Sequence, residues 1–314
     1  MSRKIIGIGE TVLDIVFRQN QPQAAVPGGS VFNSMISLGR TVGVQFPEVR
    51  LLMESQVGDD YVADLVTDFM RANNVGIEGI QRSGGQSTLS LALLDERNNA
   101  RYEFFRDKDI PRFRIPDTPV GPSDIAIFGS FFAVSEATGP QTKAFIRKAK
   151  EAGATIYYDI NFRKNHPVSA ATVEENIALA SIVRGSSEDI ESLYGTSDAA
   201  KVYEEKIAPL CANFICTRGA EDAEVFSPGI RASFPVAPAG SIVSTIGAGD
   251  NFNAGIIYSI VRNGFVNEDL QRLSVERWAS MVETAMRFSA DVCASLYNYV
   301  DPGFVNTLDS GYQS

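Results

Sequence analysis

The chain has 314 residues and a formal net charge of −10, from 28 lysines and arginines against 38 aspartates and glutamates. Hydrophobic residues make up 44% of it, which supplies a sizeable core and excludes a disordered chain. The acidic balance offers no broad basic surface to nucleic acid or anionic lipid, so a phosphorylated ligand would have to be bound by a few well-placed donors.

The rare residues exclude further classes of site. His166 is the only histidine, which excludes zinc motifs that need two. Cys211, Cys216 and Cys293 are too few for a disulfide framework, and they indicate reduced, buried thiols in a cytoplasmic protein. The longest apolar stretch, residues 125–134, is far shorter than the roughly 20 residues of a spanning helix, so no membrane association is expected.

Short apolar runs alternate with helical patterns along the chain. The runs predicted as strands are residues 4–8, 50–53, 125–128, 155–158, 182–184 and 214–217. Most are apolar on both faces, as in parallel strands that are covered by helices on both sides. Helical spacing between them, as in residues 145–152 and 278–286, predicts crossover helices. The pattern predicts an α/β fold with a doubly wound, mostly parallel central sheet.

Two regions interrupt this alternation. Residues 11–26 have mixed polarity and no helical period, and residues 86–106 are typical of a hairpin with strands over 87–94 and 101–105. These segments predict a small second sheet beside the first. Because the chain shows neither an internal repeat nor a linker, we expect a single domain over residues 1–314 with both segments inserted in it.

Common nucleotide-binding signatures are missing from the chain. It contains no Gly-Lys dipeptide, which excludes a Walker A loop. Gly7 and Gly9 follow the first predicted strand, but Val12 stands where a dinucleotide motif needs its third glycine. This substitution argues against a nicotinamide-dependent oxidoreductase.

The first of two notable glycine turns precedes a helix predicted from Val31 to Leu38. Gly28 and Gly29 permit a close backbone approach, and Asn33, one turn into the helix, offers both a donor and an acceptor to a polyol. On its own, the turn is more typical of an ordinary helix start.

The second turn carries the strongest local signal. Gly247, Ala248 and Gly249 open an apolar helix that runs towards Ile260. The first N–H groups of a helix lack intrahelical acceptors and lie at its positive end, so they form an anion site without lysine or arginine. Asp250 follows directly, where it could take a proton from a hydroxyl that attacks a phosphoryl group. An aspartate at a helix start with no ligand is the alternative.

The two turns together resemble the two signatures of the ribokinase-like sugar kinases, the PfkB family. The ordered set is more specific than either signature, and the resemblance covers nearly the whole chain. Further segments similar to those of the family are residues 9–14, 58–60, 159–163 and 217–221. The resemblance implies a ribokinase-like central sheet with a small β lid, built from residues 11–26 and 86–106, that excludes water from the transferable phosphate.

The resemblance also implies ATP-dependent phosphorylation of a monosaccharide, closest to fructokinases, with 2-keto-3-deoxygluconate or ribose as the next candidates. Asp250 would be the general base, and the amides of Gly247, Ala248 and Gly249 would stabilise the transferring phosphoryl group with Mg²⁺. The remaining implied contacts are Asp14, Gly28, Gly29, Asn33, Arg106 and Arg163 with the sugar, and Thr217, Gly219, Gly247 and Gly249 with ATP. Family lids often pair, which implies a homodimer.

Four features depart from the family pattern. The family's Asn-x-x-Glu falls on Ser186 to Asp189, so Asp189 would hold Mg²⁺ through water. Ser244 replaces an aspartate of the monovalent-cation site, which argues against K⁺ activation, Asp222 replaces a glycine, and Ala290 replaces an asparagine near adenine. These departures leave an alternative function, a non-catalytic sugar- or nucleotide-binding regulator on the same fold.

Overall fold

Strands and helices alternate along most of the chain. This computed structural model describes residues 2–95, 100–107, 113–162, 169–237, 240 and 242–308. The strands are β1 Lys4–Ile8, β2 Val12–Arg18, β3 Gln21–Gly28, β4 Arg50–Val57, β5 Ile80–Arg82, β6 Leu89–Leu94, β7 Ala100–Phe105, β8 Ile125–Gly129, β9 Thr155–Asp159, β10 Ile182–Ser186, β11 Phe214–Thr217, β12 Asp222–Ser227 and β13 Ile230–Pro235. The helices are α1 Ser30–Gln45, α2 Tyr61–Ala72, α3 Ser130–Val134, α4 Gly139–Glu151, α5 Ala170–Ile177, α6 Ser187–Tyr194, α7 Ala199–Val202, α8 Ala248–Arg262, α9 Val275–Cys293 and α10 Val305–Leu308.

A nine-stranded sheet forms the centre of the fold, in the order β13-β12-β11-β10-β9-β8-β1-β4-β5. All six strands predicted from the apolar runs lie in it, and they pair in parallel. This confirms the predicted fold class. The hairpin of β12 and β13, which extends one edge in antiparallel orientation, was not predicted.

Helices cover both faces of the central sheet, and each face has its own core. Successive strand residues point to opposite faces, so Ile5 packs in one core and Ile6 in the other. The first core contains residues of α1, α8 and α9, and the second contains residues of α4, α5 and α6. None of the helices in the described ranges is long and apolar enough to cross a membrane.

A separate four-stranded sheet has the order β3-β2-β6-β7. Its strands come from the two regions that interrupt the alternation, as the sequence predicts. The first region extends further than expected, because β3 runs to Gly28 and α1 begins at Ser30, without an intervening multi-residue turn. Residues 96–99 of the predicted hairpin turn lie outside the described residues. One face of this small sheet, with Val16, Ala92 and Leu94, packs on Ile246 just before α8.

The parallel strands end at one edge of the central sheet and bring distant residues together there. Asp159, Ser186 and Thr217 are the last residues of β9, β10 and β11, which are neighbours in the sheet. In open α/β sheets, ligands bind outside this edge. The functional site is therefore expected where these strand ends meet the first turns of α1 and α8.

Candidate active site

The first turn of α8 is the predicted anion site. Gly247 caps the helix with a left-handed φ of 77°, and a Cβ atom on it would lie 2.7 Å from the Asn298 carbonyl oxygen. A Cβ on Gly249 would lie 3.0 Å from both Nη atoms of Arg184. Gly247 is thus required by its φ and by a backbone contact within the protein itself, whereas a Cβ at Gly249 would need the Arg184 guanidinium to shift. The Ala248 N–H donates a long hydrogen bond of 3.3 Å to the Thr245 carbonyl.

Asp250 is where the two glycine motifs meet. Its side chain is buried and lines a cleft beside the start of α1. Ser30 Oγ donates to Asp250 Oδ1 over 2.8 Å, and Asn33 Nδ2 donates to Asp250 Oδ2 over 2.8 Å. These two bonds fix the orientation of the carboxylate, whose oxygens act as acceptors when it is ionised. The structure therefore joins Asn33 and Asp250, which the sequence places in separate motifs.

The cleft in front of Asp250 has a volume of about 640 Å³, part of it open to solvent. Gly29, Asn33 and Asp14 line it, and Gly28 lies beside the Asp14 carboxylate. Asn298 Nδ2 donates to Asp14 Oδ2 over 2.8 Å, and Ser90 Oγ donates to Asp14 Oδ1, so this carboxylate is held in place. Asn33 Oδ1 has no hydrogen-bond partner within the part of the chain that the structure describes. It leaves a buried acceptor for a ligand hydroxyl.

Arg106 also lines the cleft, and it is already paired. Its Nε and Nη2 atoms donate to the two carboxylate oxygens of Glu10 over 2.7 and 2.8 Å. Its guanidinium carbon lies 4.2 Å from the ring centroid of Phe104 and 4.6 Å from that of Phe131. Glu10 was not predicted as its partner. Arg163, like His166, lies outside the described residues.

Ser30 lies between Asp250 and Asp159. Its Oγ donates to Asp250 Oδ1 and lies 3.5 Å from Asp159 Oδ2. Asn161 Nδ2 donates to Ser30 Oγ over 2.9 Å, and Asn253 Nδ2 donates to Asp159 Oδ2 over 2.9 Å. Burial raises the pKa of Asp159 to about 6; the Arg184 guanidinium opposes this shift, and the Asp250 carboxylate adds to it. Ser30 was not predicted as a site residue, although it lies inside the first glycine motif.

The turn after β11 lies at the same edge of the sheet as α8. Thr217 Oγ1 accepts a 2.5 Å hydrogen bond from Arg184 Nη2, and Gly219 follows in the turn. Arg218 closes the turn through two hydrogen bonds of 2.7 and 3.0 Å to the Asp222 carboxylate, and lowers its pKa. This pair gives a structural reason for an aspartate where the family has glycine. The roles of Thr217 and Gly219 towards ATP stay predictions.

Asp189, the predicted metal residue, caps α6. Its Oδ1 accepts the Phe162 N–H and its Oδ2 accepts the Ser186 N–H, each over 2.7 Å. Across the described ranges, no three histidine, cysteine, aspartate or glutamate side chains form a metal-binding group. Mg²⁺ beside a nucleotide is held mainly by phosphates and waters, so a water-mediated contact to Asp189 fits this arrangement. That contact stays a prediction.

The other two departures have different environments. Ser244 is buried, and its Oγ accepts the Ile246 N–H over 3.2 Å. Ala290 is exposed on α9. Neither residue lies among those that line the cleft at Asp250.

Comparison with known proteins assigns the family. Residues 3–276 match the model of the pfkB family carbohydrate kinases. A fructokinase of Rhizobium leguminosarum bv. trifolii is 26% identical over 302 residues, which cover 91% of this chain and 86% of that protein.

Solved structures agree in fold. The fructokinase with bound ATP from Xylella fastidiosa superimposes with a TM-score of 0.85 at 20% identity and covers 100% of both chains. The aminoimidazole riboside kinase from Salmonella enterica, complexed with aminoimidazole riboside and an ATP analog, has a TM-score of 0.83 at 19% identity and covers 98% of this chain and 99% of its own. With the family model matching most of its length, the chain belongs to the pfkB family of carbohydrate kinases and is a phosphotransferase.

Proposed function

We propose that the protein transfers the terminal phosphoryl group of ATP to a hydroxyl of a neutral monosaccharide, with fructose as the first candidate. The observation that carries this proposal is the Asp250 carboxylate, which Ser30 and Asn33 orient at the start of α8 beside the cleft. A base, a set of helix-start amides and a polar cleft are the parts that phosphoryl transfer to an alcohol needs.

The chemistry follows from these positions. The sugar hydroxyl donates to Asp250, which takes its proton as the hydroxyl oxygen attacks the terminal phosphorus. The bond from that phosphorus to the bridging oxygen breaks, and ADP leaves. The first-turn amides of α8 stabilise the charge on the phosphoryl oxygens, and bound Mg²⁺ would supply further charge neutralisation between the phosphates.

The charges in the cleft favour a neutral substrate. Its described lining residues include three carboxylates, those of Glu10, Asp14 and Asp250, and one guanidinium, that of Arg106. Because Glu10 pairs with this guanidinium through both oxygens, Arg106 is not available to bind a substrate carboxylate unless the pair breaks. A phosphosugar or 2-keto-3-deoxygluconate would bring another negative charge to this cleft. Fructose is neutral and would bring no charge, and the names of the relatives called fructokinase support this choice.

The first test removes the proposed base. We expect D250A and D250N to lower kcat by about 10²-fold to 10⁴-fold, because the attacking hydroxyl loses its proton acceptor. Fructose affinity, measured by calorimetry, should change little in D250N, since the amide keeps the size of the side chain. D117N, at an exposed position on the surface, is the matched control. Turnover of D250N near that of the wild type would contradict the mechanism.

The second test compares substrates through sugar-dependent release of ADP. We expect the highest kcat/KM for fructose, followed by ribose, and lower values for 2-keto-3-deoxygluconate and phosphosugars. Aminoimidazole riboside belongs in the panel, because Tyr102, Phe104 and Phe131 line the cleft with aromatic rings and a relative of that name covers 82% of this chain. A preference for an anionic sugar would overturn the charge argument, and binding without any turnover would favour a regulator.

A further inference from the structure

Arg184 is a buried cation directly beneath the first turn of α8. The glycine motif predicts an anion site made without lysine or arginine, but Arg184 of β10 lies at this site with a side chain that is only 9% exposed. Arginines are almost never so buried unless they are paired and serve a specific arrangement. An arginine inside an otherwise apolar strand was a signal that the sequence analysis did not use.

The guanidinium contacts three segments at once. Nη1 donates to Asp159 Oδ1 over 3.2 Å, and Nη2 donates to Thr217 Oγ1 over 2.5 Å. Both Nη atoms would lie 3.0 Å from a Cβ on Gly249, so the guanidinium packs against the glycine of the anion site. Its Nε is buried with no partner in the ranges that the structure describes. Arg184 therefore lies between the two segments that the family resemblance assigns to the ATP phosphates.

The bond to Thr217 has a direct chemical consequence. Arginine can only donate, so the threonine oxygen must accept this bond. The hydroxyl proton of Thr217 then points elsewhere and can be donated to an anion. Arginine also stays protonated when buried, and a charge at low dielectric acts more strongly than one in water.

We propose that Arg184 is a positioning residue for the nucleotide phosphates. It orients the Thr217 hydroxyl as a donor towards them, and it places a positive charge beneath the first turn of α8. This inference rests on the proposed function for the identity of the anion. It adds a residue that the two glycine motifs do not contain. The proposed sugar contacts Asp14 and Asn33 line the cleft and Arg184 does not, so Arg184 should affect the nucleotide far more than the sugar.

The experiment measures ATP and ADP affinity without sugar, by calorimetry, together with fructose affinity and the KM values for both substrates. We expect R184K to weaken nucleotide binding by about 10-fold, because lysine cannot hold Asp159 and Thr217 together. T217V should weaken it in the same direction, and T217S, which keeps the hydroxyl, should recover most of the loss. Fructose affinity should change by no more than about 2-fold to 3-fold.

Further variants guard against a purely structural effect. R184M leaves Asp159 buried without its cation, so R184M is also made together with D159N, which removes both charges. The double variant R184K/T217V should lose less than the sum of its single variants, since both act through one bond. R71M, at an exposed arginine of α2, is the matched control.

Three results would overturn the inference: unchanged nucleotide affinity in R184K and T217V, equal losses for fructose and nucleotide, or strict additivity in the double variant. Because nucleotide affinity is measured without turnover, these results are independent of the substrate panel. A protein that phosphorylates no sugar but loses nucleotide affinity in R184K would refute the proposed function and leave this inference standing.

Discussion

Asp159 is the residue on which the network around the proposed base depends. It accepts hydrogen bonds from Arg184 and Asn253, and Ser30 lies 3.5 Å from its second oxygen while donating to Asp250. The charged groups around it are Arg184 from β10, Asp250 from α8 and Asp189 from α6. A change in the charge of Asp159 should therefore affect the proposed phosphate site through Arg184 and the proposed base, Asp250, through Ser30.

This arrangement predicts an acidic limit to activity. Burial raises the pKa of Asp159 to about 6, so the carboxylate is charged at neutral pH and becomes neutral as the pH falls through about 6. Neutralisation weakens its bond to Arg184, so kcat should decline over the same range. D159N is neutral at every pH, and we expect it to have a lower kcat and to lack this decline.

The measurement is kcat for wild type and D159N from about pH 5 to about pH 8, with saturating substrates at each pH. An acidic decline that persists unchanged in D159N would assign it to another group. If R184K abolished the acidic decline in kcat and D159N did not, the prediction would also be contradicted, because the titrating group would then lie elsewhere.

At the scale of elements, the start of α1 is held by a close contact with the chain after β1. Gly29 has a φ of 123°, and a Cβ on it would lie 2.1 Å from the carbonyl oxygen of Glu10. Ser30 and Asn33 follow in the first turn of α1, and the Glu10 side chain holds Arg106. One backbone contact therefore sets the position of groups on both sides of the cleft.

Substitution at this contact should damage both stability and sugar binding. We expect G29A to lower the free energy of unfolding by about 1–3 kcal/mol, because alanine cannot adopt this φ without strain and the Glu10 carbonyl must move. Fructose affinity should fall as Asn33 and Glu10 shift. G84A is the control, since a Cβ there meets no atom within 4 Å. If denaturant unfolding gave G29A and G84A the same free energy of unfolding, this account would be contradicted.

Prediction from sequence succeeded for elements that carry a strong local pattern. The parallel strands are apolar on both faces, and the small sheet is apparent from the loss of helical period. The hairpin of β12 and β13 was missed because β13, at the edge of the sheet, alternates half-buried and exposed residues and has no continuous apolar run. In the site, glycine turns identified Asn33 and Asp250. The bonds from Arg184 to Thr217 and from Arg106 to Glu10 join residues far apart in sequence, which no local pattern reveals.

At the scale of the whole molecule, the small sheet has two apolar faces but packs only one of them on the described chain. Its other face is partly exposed and carries Leu13, Ile15 and Phe17 of β2, Leu89, Leu91 and Leu93 of β6, and Phe105 of β7. Apolar patches of this extent mark interaction surfaces in folded proteins. A second copy of the chain can cover this face with the same face of its own sheet.

We therefore predict a homodimer formed through the outer face of the small sheet. L91D places a charge at the centre of this face, between Ile15 and Glu103 in the register, and should shift the protein to a monomer. L210D, at an exposed leucine outside the small sheet, should leave the dimer intact. Sedimentation velocity at micromolar concentration checks both variants. A monomeric wild type, or a dimer that tolerates L91D, would contradict the prediction.

Ile246 connects the small sheet to the start of α8. Val16, Ala92 and Leu94 pack on it, and the Gly247 cap follows it directly. A sugar that reaches Asp14 and a nucleotide that reaches α8 would both act on this one contact. The two ligands would then be energetically coupled, and linkage requires the coupling to be reciprocal. If bound sugar changes the affinity for nucleotide by some factor, bound nucleotide changes the affinity for sugar by the same factor. The order in which the two bind therefore cannot change their joint affinity.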